Sequence, residues 1–269
     1  MSGAATATAG IVAESEPVYA SYPSLRGRTS FVSGGASGLG AEFVVELAAQ
    51  GSRVFFVDVD AERGRALEHQ LRADGADVRF AVCDVRDVPA LQAAIAAAAA
   101  ELGPIRVLVN NAANDYRDRV ADVDVALWDE RIAVNVRHHF FAAQAVAPMM
   151  RDAGGGSIIN LGSISVHIDL MDLPGYITAK AGVEGLTRTL AREYGPWHVR
   201  VNCIIPGWIM TEKQLAERVT PEAEASIERN QCLPDKLYPD DVARMVLWLA
   251  ADDSRRCTAQ KWVVDGGWM

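Results

Sequence analysis

Between Thr29 and Val264 the chain repeats one alternation, a short apolar run followed by a longer stretch of helical character. The runs are Thr29–Ser33, Val54–Val57, Val78–Cys83, Val107–Val109, Ser157–Leu161, Arg200–Ile205 and Lys261–Val264. The helical stretches are Leu39–Gln50, Ala61–Ala73, Val88–Leu102, Leu127–Met150, Tyr176–Tyr194 and Asp240–Ala250. Strands that are apolar throughout belong to a parallel sheet covered on both faces. Parallel neighbours need crossover helices, and those crossovers are right-handed. The alternation therefore predicts a doubly wound α/β fold, a parallel sheet of about seven strands flanked by helices. No linker interrupts residues 25–269, which are read as one domain. The alanine run Ala96–Ala100 is helical by propensity, with Leu91 and Ile95 supplying its core face. Thr211–Leu237 is polar and irregular, and a substrate loop near residues 206–237 is expected to cover a site.

Composition narrows the function. The chain has 269 residues, half of them hydrophobic, enough for one large core. A formal net charge of −9 argues against nucleic acid as a partner. No apolar run approaches the ~18 residues that would suggest a membrane span. Residues 1–24 lack the basic start and apolar centre of a secretory signal; they read as a loosely ordered arm, free or docked on a neighbouring subunit. The spacings of Cys83, Cys203, Cys232 and Cys257 match neither a metal site nor a redox pair. Reduced thiols in a cytoplasmic protein are expected, with Cys83 and Cys203 in the core.

The first strand runs into Ser33-Gly34-Gly35-Ala36-Ser37-Gly38-Leu39-Gly40. Glycines allow the tight turn and let backbone N–H groups approach a pyrophosphate at a helix N-terminus. Gly34, Ser37, Gly38, Leu39 and Gly40 are the candidate phosphate-binding residues. Asp58 closes the second strand, where a carboxylate accepts both adenosine ribose hydroxyls and repels a 2′-phosphate. Val59 follows it, and neither Val59 nor Ser37 is basic, so NAD is favoured over NADP, with Arg63 the nearest base. Asp84-Val85 and Asn110-Asn111-Ala112-Ala113 follow the third and fourth strands, at the carboxyl ends where open α/β sheets bind ligands.

Tyr176 and Lys180 stand four residues apart, on one face of a helix, with Ser163 upstream. An ammonium there favours the phenolate and lowers the phenol pKa from its usual ~10, which suits a general acid or base near neutrality.

Ser-Gly-(x)3-Gly-x-Gly, Asp58, Asp84-Val85, Asn-Asn-Ala-Ala, Asn135, Ser163, Tyr-x-x-x-Lys and Pro206-Gly207-Trp208-Ile209-Met210-Thr211 occur in the order and spacing of the short-chain dehydrogenase/reductase superfamily. The resemblance covers residues 25–269 and implies a Rossmann-like fold. Two positions depart from the pattern: Ser33 stands where threonine is usual, and Ala113 where glycine is usual. A narrower resemblance, to bacterial aldose dehydrogenases including those acting on D-xylose, rests on Asn114–Asp118, Trp128–His138, Gly162–His167 and Val263–Trp268.

The superfamily resemblance implies the roles. Tyr176 is the general base, Lys180 lowers its pKa and binds the nicotinamide ribose, and Ser163 orients the reacting oxygen. Asn135 belongs to a water-linked proton exit; a purely helix-bending role is its alternative. Asn111, Pro206, Gly207, Ile209 and Thr211 contact the cofactor, with Tyr176 and Lys180. A small-molecule substrate, a sugar, is expected to meet Asn114, Asp115, His167 and Trp208 beside Ser163 and Tyr176; for each of those four a packing or surface role fits as well. Ser165 rivals Ser163. Small residues Ala179, Ala181, Gly182 and Gly185 point to close helix packing in a homotetramer. Three functions compete: an NAD-dependent aldose 1-dehydrogenase, a dehydrogenase of another alcohol or ketone, and a nucleotide sensor without turnover.

Overall fold

The computed structural model describes residues 19–269. Seven parallel strands form one sheet in the order β3-β2-β1-β4-β5-β6-β7. They are β1 (Thr29–Ser33), β2 (Arg53–Asp58), β3 (Val78–Val82), β4 (Ile105–Asn110), β5 (Gly156–Leu161), β6 (Val199–Pro206) and β7 (Lys261–Val264). Helices α1 (Gly38–Ala49), α2 (Ala61–Ala73) and α3 (Val88–Leu102) connect the first four strands. β1 lies between β2 and β4, so the strand order reverses there and opens a crevice at the carboxyl ends of β1 and β4.

Two apolar layers cover the sheet. One holds Val32, Phe43, Leu47, Phe56, Val107 and Ile159, closed by Val246 and Leu247 of α9 (Pro239–Ala250). The other holds Phe31, Phe55, Leu91, Ile95, Leu108 and Val146. Cys83 and Cys203 are buried, as expected, and Cys232 is exposed.

The helical segment expected over Leu127–Met150 is present and unbroken, but it is not uniform: α4 (Val125–Ile132) passes into a π-helical turn over Ala133–Arg137 and then α5 (His138–Asp152). The wide turn frees the Arg131 carbonyl, which accepts from Asn135 Nδ2 at 3.0 Å. Thr211–Leu237 is not irregular: it holds α7 (Glu212–Glu217) and α8 (Pro221–Asn230). The Thr211 and Thr220 hydroxyls cap them, accepting from the N–H groups of Gln214 and Ala223, and Pro221 opens α8. Of the expected N-terminal arm, residues 1–18 lie outside the described residues; Tyr22, just after them, packs on the first core layer and its N–H donates to Gln50 Oε1 at 2.7 Å.

Candidate active site

The glycine turn brings backbone close to backbone. Gly34 has φ +68°, and a Cβ there would stand 2.7 Å from Ala112 Cα. A Cβ on Gly40 would lie 1.8 Å from the Gly34 carbonyl oxygen. Asn111 reinforces this approach, with Nδ2 donating to the carbonyls of Ser33 (3.1 Å) and Gly34 (2.9 Å). The Ser33 hydroxyl accepts from the N–H groups of Asn111 and Ala112, the work that a threonine hydroxyl could also do. At the start of α1, Ser37 makes no side-chain cap to the first-turn N–H groups. That helix end is therefore open to an anion.

Asp58, at the end of β2, is held by two backbone donors: Ala36 N–H at 3.0 Å and Asp60 N–H at 3.1 Å. One donor comes from the glycine turn itself, so the carboxylate is fixed beside it. Asp84 faces Arg86, which donates through its side chain and holds the carboxyl below the usual range. Val85 is buried with Phe31 and Val57 in the core. Uncapped helix start, crowded glycine cradle and oriented carboxylate together fit a dinucleotide.

Beyond the turn lies a cavity of about 410 Å³. Leu39, Asn111, Ser163, Tyr176, Lys180 and Thr211 all line it. So do Pro206, Gly207, Trp208 and Ile209 from the loop after β6. Among the expected substrate contacts, Asp115 and Trp208 are on its wall. His167 is not: it is exposed, and its Nε2 pairs with Glu184 at 2.6 Å. Asn114 is not on the wall either; its side chain accepts from Tyr116 N–H at 2.9 Å, closing a local turn.

Burial pushes the Tyr176 phenol up to about 12; the Ser163 hydrogen bond opposes this and the Asp115 carboxylate adds to it. The expected lowering by lysine does not occur in this structure: the phenol is raised, and burial is the main cause. Lys180 Nζ sits 5.8 Å from the Tyr176 ring centre and donates to the Leu161 carbonyl at 2.7 Å. Burial pushes the lysine itself down to about 8. Ser163 Oγ lies 2.7 Å from Ser165 Oγ and accepts from Ser165 N–H, so the rival serine supports the first.

Asn135 is fully buried, and both ends of its amide are held by protein. Its Oδ1 accepts from Asn114 N–H at 2.8 Å, and its Nδ2 donates to the carbonyls of Asn114 and Arg131. It clamps the chain leaving β4 onto the π-helical turn. His138 was not anticipated. It is fully buried, Nε2 meets the Ala112 carbonyl at 2.9 Å, and burial followed by the Lys180 charge lowers it to about 3. A neutral Nε2–H tautomer thus holds the Asn111–Ala113 turn. Two adjacent histidines in an apolar helix were the sequence signal for it.

α7 spans the mouth. Its Lys213 and Gln214 donate to the two oxygens of Asp115 at 2.8 and 3.2 Å, and Gln214 Oε1 accepts from Trp208 Nε1 at 3.0 Å. On the other side Glu212 pairs with Arg63 at 3.6 Å. Burial tends to raise the Asp115 carboxyl, but Lys213 and then Arg218 outweigh it and hold it below the usual range. Gln214 and Arg218 also line the cavity, two residues that the sequence did not single out because α7 itself went unpredicted.

A parallel sheet with this crevice, and a serine, tyrosine and lysine converging on it, define a nucleotide-dependent oxidoreductase; the chain belongs to the short-chain dehydrogenase/reductase family. A family model described as enoyl-(acyl carrier protein) reductase matches residues 34–269. The chain is 48% identical over 247 residues to the D-xylose 1-dehydrogenase of Caulobacter vibrioides, covering 92% of this chain and 98% of the relative. It is 47% identical to a probable galactose dehydrogenase of Rhizobium meliloti, covering 91% and 96%. A solved 7α-hydroxysteroid dehydrogenase with NADH and 7-oxo glycochenodeoxycholic acid superposes with TM-score 0.88 at 27% identity, covering 92% of this chain and 96% of that one. Solved structures of this fold hold NADH or NADPH.

Proposed function

We propose that the protein oxidises C1 of an aldose, D-xylose or a related sugar, to the lactone with NAD as acceptor. The observation that carries this reading is the convergence of Ser163, Tyr176 and Lys180 on one cavity with Asn111 and Thr211, in a chain nearly half identical to sugar dehydrogenases. A bound nicotinamide supplies the hydride acceptor. Tyr176 takes the proton of the C1 hydroxyl, and Ser163, braced by Ser165, orients that oxygen. Lys180 contributes positive charge under the phenol, which favours the phenolate against burial. Asp115 is the acceptor for a sugar hydroxyl, and Trp208 offers an apolar face beside it. Asn135 holds the turn after β4 in place and so keeps this wall in register.

NAD rather than NADP is favoured by Asp58, whose carboxylate would repel a 2′-phosphate, and by the pairing of Arg63 with Asp60 and Glu212. A cytoplasmic homotetramer is part of the reading. Ala181, Gly182 and Gly185 are exposed on α6 (Pro174–Tyr194), whereas Ala179 faces inward. Light scattering that returned a monomer would remove the tetramer.

A second reading has its own support. Ile164, Ile168, Leu170, Leu173 and Trp268 give the cavity a large apolar wall, which suits a bulkier secondary alcohol. A panel of pentoses, hexoses and cyclic secondary alcohols, followed by reduced-nicotinamide absorbance with NAD and with NADP, separates the two. Turnover of an alcohol with no sugar-dependent signal would overturn the sugar assignment.

A further inference from the structure

The N-terminal end of the sheet, opposite the active site, carries a second, smaller cavity of about 270 Å³. It lies at the N-terminal ends of β1, β4, β5 and β6, one strand length, on the order of 15–20 Å, from the active site. Arg28, Arg106, Arg200, Arg255 and Arg256 line it against a single carboxylate, Asp252. On a chain whose formal net charge is −9, this is a concentrated reversal of sign.

The five arginines are not equivalent. Arg28 is committed: it grips the Asp252 carboxylate at 3.0 and 3.1 Å and donates to the Ala250 carbonyl. Arg200 is committed too, donating to the carbonyls of Leu249 and Ala251 at the end of α9 and of Cys257 beyond it. These bonds make rigid walls and use the one carboxylate that lines the cavity among the described residues. Arg106, Arg255 and Arg256 have no ion-pair partner among the described residues, and Arg106 Nε is buried with no acceptor. Arg106 is also the extra residue where the β1–β4 register shifts: Thr29 pairs with Ile105, and Ser30 with Val107. Such bulges re-aim a side chain. Burial and the neighbouring Arg28 charge push Arg106 down, and burial lowers Arg200 to about 10, both signs of positive charge without sufficient counter-charge.

Arg106 is half-buried, and its buried Nε–H without an acceptor costs free energy that an oxyanion relieves through charge-assisted, often bidentate bonds. We infer that this cavity binds a phosphate-type dianion, free or as a small monoester, with Arg106 at its centre and Arg255 and Arg256 at its rim.

The test is calorimetric and thermal-shift titration of the full chain with inorganic phosphate, against chloride at matched ionic strength, in saturating NAD. Glycerol 2-phosphate serves as the monoester probe. The expected result is saturable stabilisation that weakens about tenfold or more in Arg106→Gln and recovers in part in Arg106→Lys. The exposed rim variant Arg255→Gln/Arg256→Gln, which carries little folding risk, weakens it several-fold. Tighter phosphate assigns the free anion, tighter glycerol 2-phosphate the monoester. No saturable effect beyond chloride would overturn the inference, as would binding equally strong in the Arg106→Gln and rim variants, which would belong to another part of the chain.

Discussion

Lys180 Nζ donates to the Leu161 carbonyl at 2.7 Å, so the ammonium is anchored to the end of β5, the strand that leads into Ser163. The bond fixes the distance from lysine to phenol through the sheet instead of through the helix that carries both residues. Its consequence is a charge held in a place where burial opposes it.

That conflict gives a stability signature. Burial lowers Lys180 from 10.5 to about 8. Between those two values the unfolded chain binds more protons at this position than the folded chain, so unfolding free energy rises with pH across that window. Below about pH 8 the desolvation cost, about 3 kcal/mol for a shift of this size, is fully present. Wild type is therefore expected to gain stability relative to Lys180→Met as pH rises from about 8 to about 10.5. Urea unfolding of both proteins across the window checks it. A pH-independent difference would show that the lysine is not charged and buried at once.

Tyr176→Phe removes the phenol hydroxyl and leaves the ring on the cavity wall. Turnover is expected to fall by roughly 10²–10⁴, the usual contribution of a positioned acid or base. Nucleotide affinity, measured by titrating NADH fluorescence, should stay within about twofold, because the proposed phosphate and ribose contacts lie on α1 and β2. Retained turnover would take the base role from Tyr176.

The sheet, its helices and the order of site motifs were legible because each rests on local pattern: apolar strands, glycine spacing, a helical four-residue interval. What escaped depends on tertiary partners. Asn135 looked like one polar residue in a continuous helix, yet its three bonds to Asn114 and Arg131 coincide with a π-helical turn. His167 lay close in sequence to Ser163, but Glu184, a residue of α6, draws it to the surface. α7 has only six residues, too few for a periodic signal, and its contacts with Asp115 and Arg63 span distant parts of the chain. The reversal of the expected tyrosine shift has the same origin, since spacing reports proximity and not burial.

Glycines in the turn differ from glycines on the helix surface. Gly40→Ala would put a methyl carbon 1.8 Å from the Gly34 carbonyl oxygen and 2.5 Å from Asn111 Nδ2, so the turn must open. A loss of about 1–3 kcal/mol is expected, together with weaker nucleotide binding. Gly185→Ala meets no atom within 4 Å and should gain up to about 1 kcal/mol from helix propensity, provided that no neighbouring subunit packs there. Thermal unfolding of the two variants, beside NAD titration, checks both signs. Equal stability of Gly40→Ala and wild type would mean that the close approach does not hold the turn.

The brace that Asp58 provides and the ribose contact proposed for it can be separated by substitution. Its oxygens accept from Ala36 N–H and Asp60 N–H, so the carboxylate braces the glycine turn, and its remaining lone pairs are those proposed to meet a ribose. Asp58→Ala removes both. The bracing loss should lower stability by about 1 kcal/mol per amide left without an acceptor, less where water replaces it. The ribose loss should raise the KM for NAD about tenfold or more, since two hydroxyl bonds to a charged acceptor disappear. NADP should improve at the same time, because the repulsion of a 2′-phosphate is gone. Asp58→Asn divides these effects: the remaining amide oxygen retains one backbone acceptor, while the negative charge is lost. The ratio of kcat/KM for NAD to that for NADP should therefore fall in both variants, with the stability loss smaller in Asp58→Asn. An unchanged ratio in both would move the discrimination away from Asp58, and Arg63, tied to Asp60 and Glu212, would be the next side chain to replace.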